Sequence, residues 1–438
     1  MRDILLVSFM TVLLPLLIWR PTWGALAWVW WGIMNPHRLA WGFAMTIPFA
    51  WAIGIATLVG ALLSREPKRL KGGAATFVLL LFVAYIVFTT FFALVPERAW
   101  PALDRAVKVQ IGTLLTLTLL YRKDHVLALV WIIALSIGFY AIKGGIFTIV
   151  TLGAFRVWGP EDSFIADNNA FALATVMSIP LWAYLFGQYR SRPWIRLGIM
   201  SAIALSTVSA IGSQSRGAVV AIVAMAAFLW LKSRTKLASG LLMVIAGISF
   251  LALMPLQWEE RISTITNPRA EGSANARIET WTMLWNLAAD RPFTGGGFET
   301  YSKWIFQKYN PAYEGTHAAH SIYFQVLGEH GFVALGLFLL FWALVWRMCS
   351  QVARSTRSNP NDQWAYWLAQ MVKVSIVAYL VGGAFQNLAY WDMPYYLFVA
   401  IAVARFSLRQ AAVDSASHSL SAQTSLSDRA PVTGLRTS

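Results

Sequence analysis

The stretch AATFVLLLFVAYIVFTTFFALV, Ala74 to Val95, runs for 22 residues without a charge or a proline. About 20 apolar residues in helical conformation cross the hydrocarbon core of a bilayer. Val126 to Ile142, Leu237 to Met254 and Ile322 to Trp346 approach or exceed that length. Across the 438 residues 58% are apolar and 13% charged, with a mean hydropathy of +0.57, whereas a soluble domain carries roughly a quarter charged residues. A soluble globular enzyme is excluded, and an all-α polytopic membrane protein is expected.

Outward from that stretch, apolar runs place spans near residues 4–19, 21–34, 43–63, 74–94, 102–120, 125–142, 168–187, 195–212, 217–231, 237–254, 320–346, 366–388 and 395–408. Arg20-Pro21 splits two short segments, so one of them is expected to be re-entrant or interfacial, leaving about twelve transmembrane helices, with 11 to 13 as the range. The chain then divides into N-terminal spans (1–254), a long loop (255–319), C-terminal spans (320–408) and a tail (409–438).

The net charge of +15 is compatible in principle with nucleic acid, but the cations sit in short clusters between apolar runs. That is where orientation signals belong, and no nucleic-acid partner is expected. Basic loops recur at Arg65/Lys68/Arg69/Lys71, Arg122/Lys123, Arg190/Arg192/Arg196, Lys232/Arg234/Lys236 and Arg347/Arg354/Arg357. Each lies two spans from the next, which assigns these loops to the cytoplasm. The loops between them, including 255–319 with its six basic and seven acidic residues, then face outward. Loops of that length with helical patterning usually carry function.

Cys349 is the sole cysteine, so intrachain disulfides and thiolate metal sites are excluded. Met1-Arg2-Asp3 and the apolar residues after it show no small-residue cleavage site and read as a retained first helix. From Gln410 onward the chain is rich in Ser and Thr without apolar period, which predicts a disordered cytoplasmic end.

Chemistry-bearing residues gather in the outward segments. Arg216 stands in Gly212-Ser213-Gln214-Ser215-Arg216-Gly217, a turn between two spans. Ser213, Ser215 and the glycines leave backbone N–H groups open to a phosphate, and a snorkelling arginine is the structural alternative. Arg277 precedes Ile278, Trp281, Trp285 and Ala288, which recur at helical spacing. With Asn275 as cap it is expected in a first turn, where the helix dipole and a guanidinium fork both favour an anion. A surface ion pair is the alternative.

His317 and His320 lie one turn apart in Glu314-Gly315-Thr316-His317-Ala318-Ala319-His320-Ser321. Zinc needs further ligands in fixed geometry, so no metal is expected. A neutral imidazole at the interface suits proton removal from a hydroxyl, with a structural histidine as the alternative. Asp392, in Tyr390-Trp391-Asp392-Met393-Pro394, is placed to orient a histidine, pair an arginine or cap a helix. Arg156 is a third outward arginine, and Thr294-Gly295-Gly296-Gly297-Phe298 is neither a Walker nor a Rossmann pattern and reads as a turn. No Asp-x-Asp pair, nucleotide loop or internal repeat occurs, nor any paired broken segments of the transporter kind.

With Arg216, Arg277 and His320 on one face of the membrane, the chain resembles the O-antigen ligases of the lipopolysaccharide pathway. The resemblance rests on Ser213 to Gly217, Arg277 with Trp281, His320-Ser321 and Glu329-His330-Gly331, in that order, over roughly residues 150–395. Met1-Arg2-Asp3, Asn35-Pro36-His37-Arg38 and Trp41-Gly42 further resemble O-glycosylation ligases. Ala334 departs from the Gly, Thr or Tyr expected there.

The resemblance implies an inner-membrane glycosyltransferase with a periplasmic site. It moves a glycan from undecaprenyl diphosphate to a sugar hydroxyl of lipid A-core, without metal or cofactor and with inversion. By that resemblance Arg216 and Arg277 would hold the diphosphate and His320 would activate the acceptor, while Asp392 matches only by its position between the last spans and His317 has no clear counterpart in the family; Arg156, Asp392, His317 and Ser215 stand as substrate-binding candidates on their own chemistry. An O-antigen polymerase or a protein O-oligosaccharyltransferase is the alternative within the class. A lipid-linked glycan flippase, needing cations but no base, is the alternative outside it.

Overall fold

The computed structural model describes residues 1–40, 42–232, 236–237 and 272–427. Residues 238–254 of the span expected at 237–254, the first part of the long loop, Trp41, residues 233–235 and residues 428–438 lie outside them. Among the described residues the fold is entirely helical, as the apolar runs predict. Its helices are α1 (Arg2–Trp19), α2 (Pro21–Met34), α3 (Phe49–Leu63), α4 (Ala74–Thr90), α5 (Pro96–Leu119), α6 (Lys123–Val150) and α7 (Asn168–Gln188). They continue as α8 (Pro193–Gly212), α9 (Arg216–Lys232), α10 (Gly272–Asp290), α11 (Lys303–Tyr309), α12 (Ile322–Thr356), α13 (Gln363–Gly382) and α14 (Asp392–Ser427).

Seven of these segments are long and apolar enough to cross a membrane: α1, α6, α7, α8, α12, the α13 region (Pro360–Phe385) and Asp392–Asp414 of α14. The chain is therefore a multi-pass membrane protein. The fuller reading of about twelve spans counted shorter elements: α2 and α3 have 14 and 15 residues, and α4 and α9 have 17 each, below the roughly 20 of a straight crossing. The span expected at 102–120 is the greater part of α5, with Asp104, Arg105 and Lys108 inside it and Glu97 and Arg98 in the turn before it.

At the centre, α7 packs on α6, α8, α9 and α13, and its side chains from Phe171 to Leu185 are mostly buried. In lipid there is little hydrophobic drive between helices, so close approach through small residues matters. On α6, a Cβ at Gly145 would stand 2.2 Å from the Leu205 carbonyl oxygen of α8, a contact that only glycine permits.

Helix α12 breaks at Gly331, with φ 78° and ψ −174°. The break strips its first segment of regular i to i+4 partners at the last carbonyls, and the turn Thr294 to Phe298 supplies them. Gly296 N–H donates to Gly328 O and Gly297 N–H to Glu329 O, both at 2.8 Å, and Phe332 N–H donates to Pro292 O at 2.9 Å. The glycine-rich stretch is thus a turn, as expected, and it clamps the kink. Around it α10 and α11 form a small layer with their own core of Met283, Leu284, Leu287, Ile305, Phe306, Tyr309 and Ala319.

The last helix runs to Ser427, so residues 410–427, where composition predicts no order, continue α14. Neither proline nor glycine interrupts the chain from Tyr395 to Ala430, and Ala, Gln and Leu favour the helix.

Gly331→Ala should destabilise the protein by roughly 1–3 kcal/mol, because its Cβ would lie 2.3 Å from the Pro292 carbonyl oxygen at a positive φ. Gly336→Ala on the same helix meets nothing within 4 Å and should be neutral or slightly stabilising. Thermal unfolding of the two variants in detergent checks the contrast.

Candidate active site

The α8–α9 turn is built by local side-chain chemistry. Ser213 Oγ donates to Ala210 O at 2.6 Å, and Ser215 Oγ caps α9 by accepting from Ala218 N–H at 3.2 Å. Gln214 takes φ 54°, and its amide donates to Gly153 O at 3.1 Å. Arg156 Nε donates to Gln214 Oε1 at 3.4 Å, and Asn168 Nδ2 donates to Ser213 O at 2.8 Å. Residues 153–168 are thereby stitched to the turn. Ser215 is buried and its Oγ is engaged as a cap, and Arg156 props the turn through Gln214.

Arg216, half-buried, is the first residue of α9. A cation is unfavourable beside the positive end of a helix dipole unless an anion is shared there, so this placement suits a phosphate. Across the turn Gly217 faces the loop after α13: a Cβ built on it would lie 3.6 Å from Gln386 Nε2.

Arg277 is carried by α10 and His320 by the segment between α11 and α12. Helix α10 begins at Gly272, so Asn275 is inside it and Arg277 lies in its second turn, a correction to the expected cap and first turn. The cause is upstream: Ser273, Ala274 and Asn275 are accommodated in the helix. Trp281, one turn further on, donates its Nε1–H to Ala319 O at 2.7 Å and stacks on Phe324 with centroids 5.0 Å apart. This fixes the residue before His320, and Ser321 Oγ then caps α12 at Phe324 N–H. His320 is held between these two anchors at φ 43°. A non-glycine residue there is uncommon, histidine less so than most, and such backbone strain clusters at functional sites.

Burial lowers the His320 pKa from its ordinary 6.5, the Arg277 charge lowers it further, Asp167 opposes, and His317 adds a small lowering. Arg277, Asp167 and His317 thus lie within electrostatic range of this imidazole. His317 itself is exposed, with its ring 6.0 Å from Tyr313.

Asp392 begins α14 and is buried, but its carboxyl faces a separate cavity of about 710 Å³ that it shares with Gln325, Glu329 and Tyr390. Among the described residues no hydrogen bond joins Asp392 to His320. Sequence reasoning did not assign roles to Asp167, which caps α7 through Asn169 N–H at 2.8 Å, nor to Gln386 and Glu329. The Asp-Asn-Asn run at 167–169 was a visible capping signal. Nothing local announced the other two.

Residues 201–339 match a family model described as O-antigen ligase, and this match spans Arg216, Arg277 and His320 together. These residues belong to the O-antigen ligase family. Residues 1–190 match a second model, of a family of unknown function, and no curated protein matches the chain. The match supports glycosyl transfer of the ligase or polymerase type in general.

Arg277→Gln should raise the His320 pKa, because the removed cation disfavours imidazolium. The wild-type ring should stay neutral at pH 6.5, and the variant should titrate at higher pH. Histidine-selective NMR in micelles reads both curves, and coincident titrations would separate the two residues.

Proposed function

We propose that this protein transfers an O-antigen glycan from undecaprenyl diphosphate to a sugar hydroxyl of lipid A-core at the periplasmic face of the inner membrane. The observation that carries the reading is that α10, which bears Arg277, grips Ala319 through Trp281 and so holds His320 at the head of α12, both residues lying inside the ligase-family segment. The sidedness of the basic loops supports an outward site, and the shorter apolar helices support a span count of about twelve.

In the proposed reaction the acceptor oxygen attacks the anomeric carbon as the bond from that carbon to the diphosphate oxygen breaks. The electron pair leaves with the diphosphate, and the acceptor proton passes to His320. A single displacement inverts the anomeric centre. Negative charge grows on the bridging oxygen, where Arg216 and Arg277 stabilise it, so the reaction needs neither ATP nor a divalent ion. General-base assistance contributes roughly 10²- to 10⁴-fold. A lowered His320 pKa keeps the base neutral, so activity should fall only as pH drops through a value below 6.5. Arg156 and Ser215 support the Arg216 turn, His317 lies at the exposed approach, and Asp392 faces the acceptor side.

His320→Ala should abolish single-turnover transfer while donor binding persists, and His317→Ala should have little effect. Arg277→Lys should be nearly as damaging as Arg277→Ala, because lysine lacks the bidentate fork. Transfer should continue in excess EDTA. The assay is purified protein with lipid-linked glycan and separate lipid A-core, glycan and protein acceptors. Wild-type rates from His320→Ala, or glycan translocation without product, would sink the reading.

A further inference from the structure

None of Arg216, Arg277 and His320 lines the 710 Å³ cavity, which meets their segment of the chain through Gln325, five residues after His320. Gln325, one turn beyond the Ser321 cap, lines it and accepts from Ala389 N–H at 3.3 Å. Its volume falls within the range of small-molecule pockets, roughly 300–1,000 Å³.

Its polar groups are unevenly satisfied. Glu329, 1% exposed, has one carboxyl oxygen occupied: Oε1 accepts from Glu299 N–H at 3.1 Å and from Tyr301 OH at 3.3 Å. Its other oxygen, Oε2, has only the Tyr390 hydroxyl beside it, in a loose pairing that leaves further acceptor capacity, and Asn387 Oδ1 is buried without a partner. All three residues line the cavity. Buried polar atoms are seldom left unpaired, so such a set marks where a ligand's groups belong.

Charge and shape narrow the ligand. The cations at the rim are already matched: Arg38 with Asp162 at 2.9 Å, Arg105 with Glu299 at 3.6 Å, and Lys108 with Asp104. Burial, with Arg38 beside it, pulls His37 down to about 4, so its ring, stacked on Trp31, is uncharged. A phosphate finds little here that a carboxyl has not taken. A wall that holds Glu329 and Asp392 together with Trp28, Trp31 and Phe49 suits a neutral, hydroxyl-dense ligand. Hydroxyls donate to the carboxyl and amide oxygens, and polarised C–H faces lie on the negative ring faces. Gly32 keeps the wall open beside Asp392, whose Oδ1 would lie 2.9 Å from a Cβ there.

We propose that this cavity seats the acceptor as a carbohydrate, with a sugar hydroxyl donating to Glu329 Oε2. The assignment rests on the glycosyl-transfer reading and selects a glycan acceptor over a polypeptide. It makes Glu329 a binding residue, with Tyr301 and Glu299 positioning its carboxyl.

The test uses the full chain in nanodiscs. The probes are core oligosaccharide released from rough lipopolysaccharide by mild acid and, separately, a Ser/Thr-rich peptide. Binding is read by tryptophan fluorescence, since Trp28 and Trp31 line the wall. In Glu329→Gln the amide oxygen takes the place facing the two donors, so the NH₂ points into the cavity where an acceptor stood. Oligosaccharide binding should weaken roughly tenfold or more. In turnover the acceptor KM should rise with the donor KM unchanged. Asn387→Ala breaks no hydrogen bond made by its Oδ1 and should weaken binding a few-fold at an unaltered Tm. His320→Ala should bind oligosaccharide like the wild type, so failure of the catalytic reading remains distinguishable. Saturable peptide binding in place of sugar, absence of sugar binding, or undiminished binding by both cavity variants overturns the proposal.

Discussion

The break in α12 at Gly331 is the constraint on which the layer of α10 and α11 and its joint to the helices depend. A straight helix would satisfy its own carbonyls and leave the glycine turn nothing to bond. Because the backbone leaves helical geometry there, the carbonyls of Gly328 and Glu329 take the N–H groups of Gly296 and Gly297. That exchange ties the turn after α10 to the short first segment of α12. The same joint buries His330, whose Nδ1 lies 2.7 Å from Thr89 Oγ1 of α4. Loop, kink and neighbouring span are therefore one unit.

From that joint the geometry of the cluster follows in two steps. The short segment of α12 before the kink carries Ser321 at its start, and Trp281 of α10 grips Ala319 immediately before it. His320 is left between the two with little backbone freedom. Arg277 rides on α10 one turn before Trp281, so the contact that fixes the histidine also brings the guanidinium near it.

Much of this was legible in the sequence. Uncharged runs such as Ala74 to Val95 specify helices because unsatisfied backbone groups are intolerable in lipid. The serine-rich turn and the outward histidine were visible as chemistry out of place among apolar residues. Other features were hidden for physical reasons. Gly272 to Asn275 hold an ordinary helical turn although two of them often act as caps, so the start of α10 was misplaced. The charged first half of α5 blurred a span with an amphipathic helix. Glu329 looked like one acid in an apolar run, and its significance comes from Glu299 and Tyr301, about thirty residues away. Asp392 was visible as an isolated acid, but its cavity is assembled from helices distant in sequence.

The single cysteine has a practical corollary. Cys349 is buried within α12 beyond the kink, packed in the main core. A water-soluble maleimide has no other thiol to modify, so the native chain is already close to a blank background for site-directed labelling. Cysteines introduced one at a time at exposed positions such as Arg65, Arg192 or Glu314 report by their reactivity in intact cells which ends of the helices share a compartment.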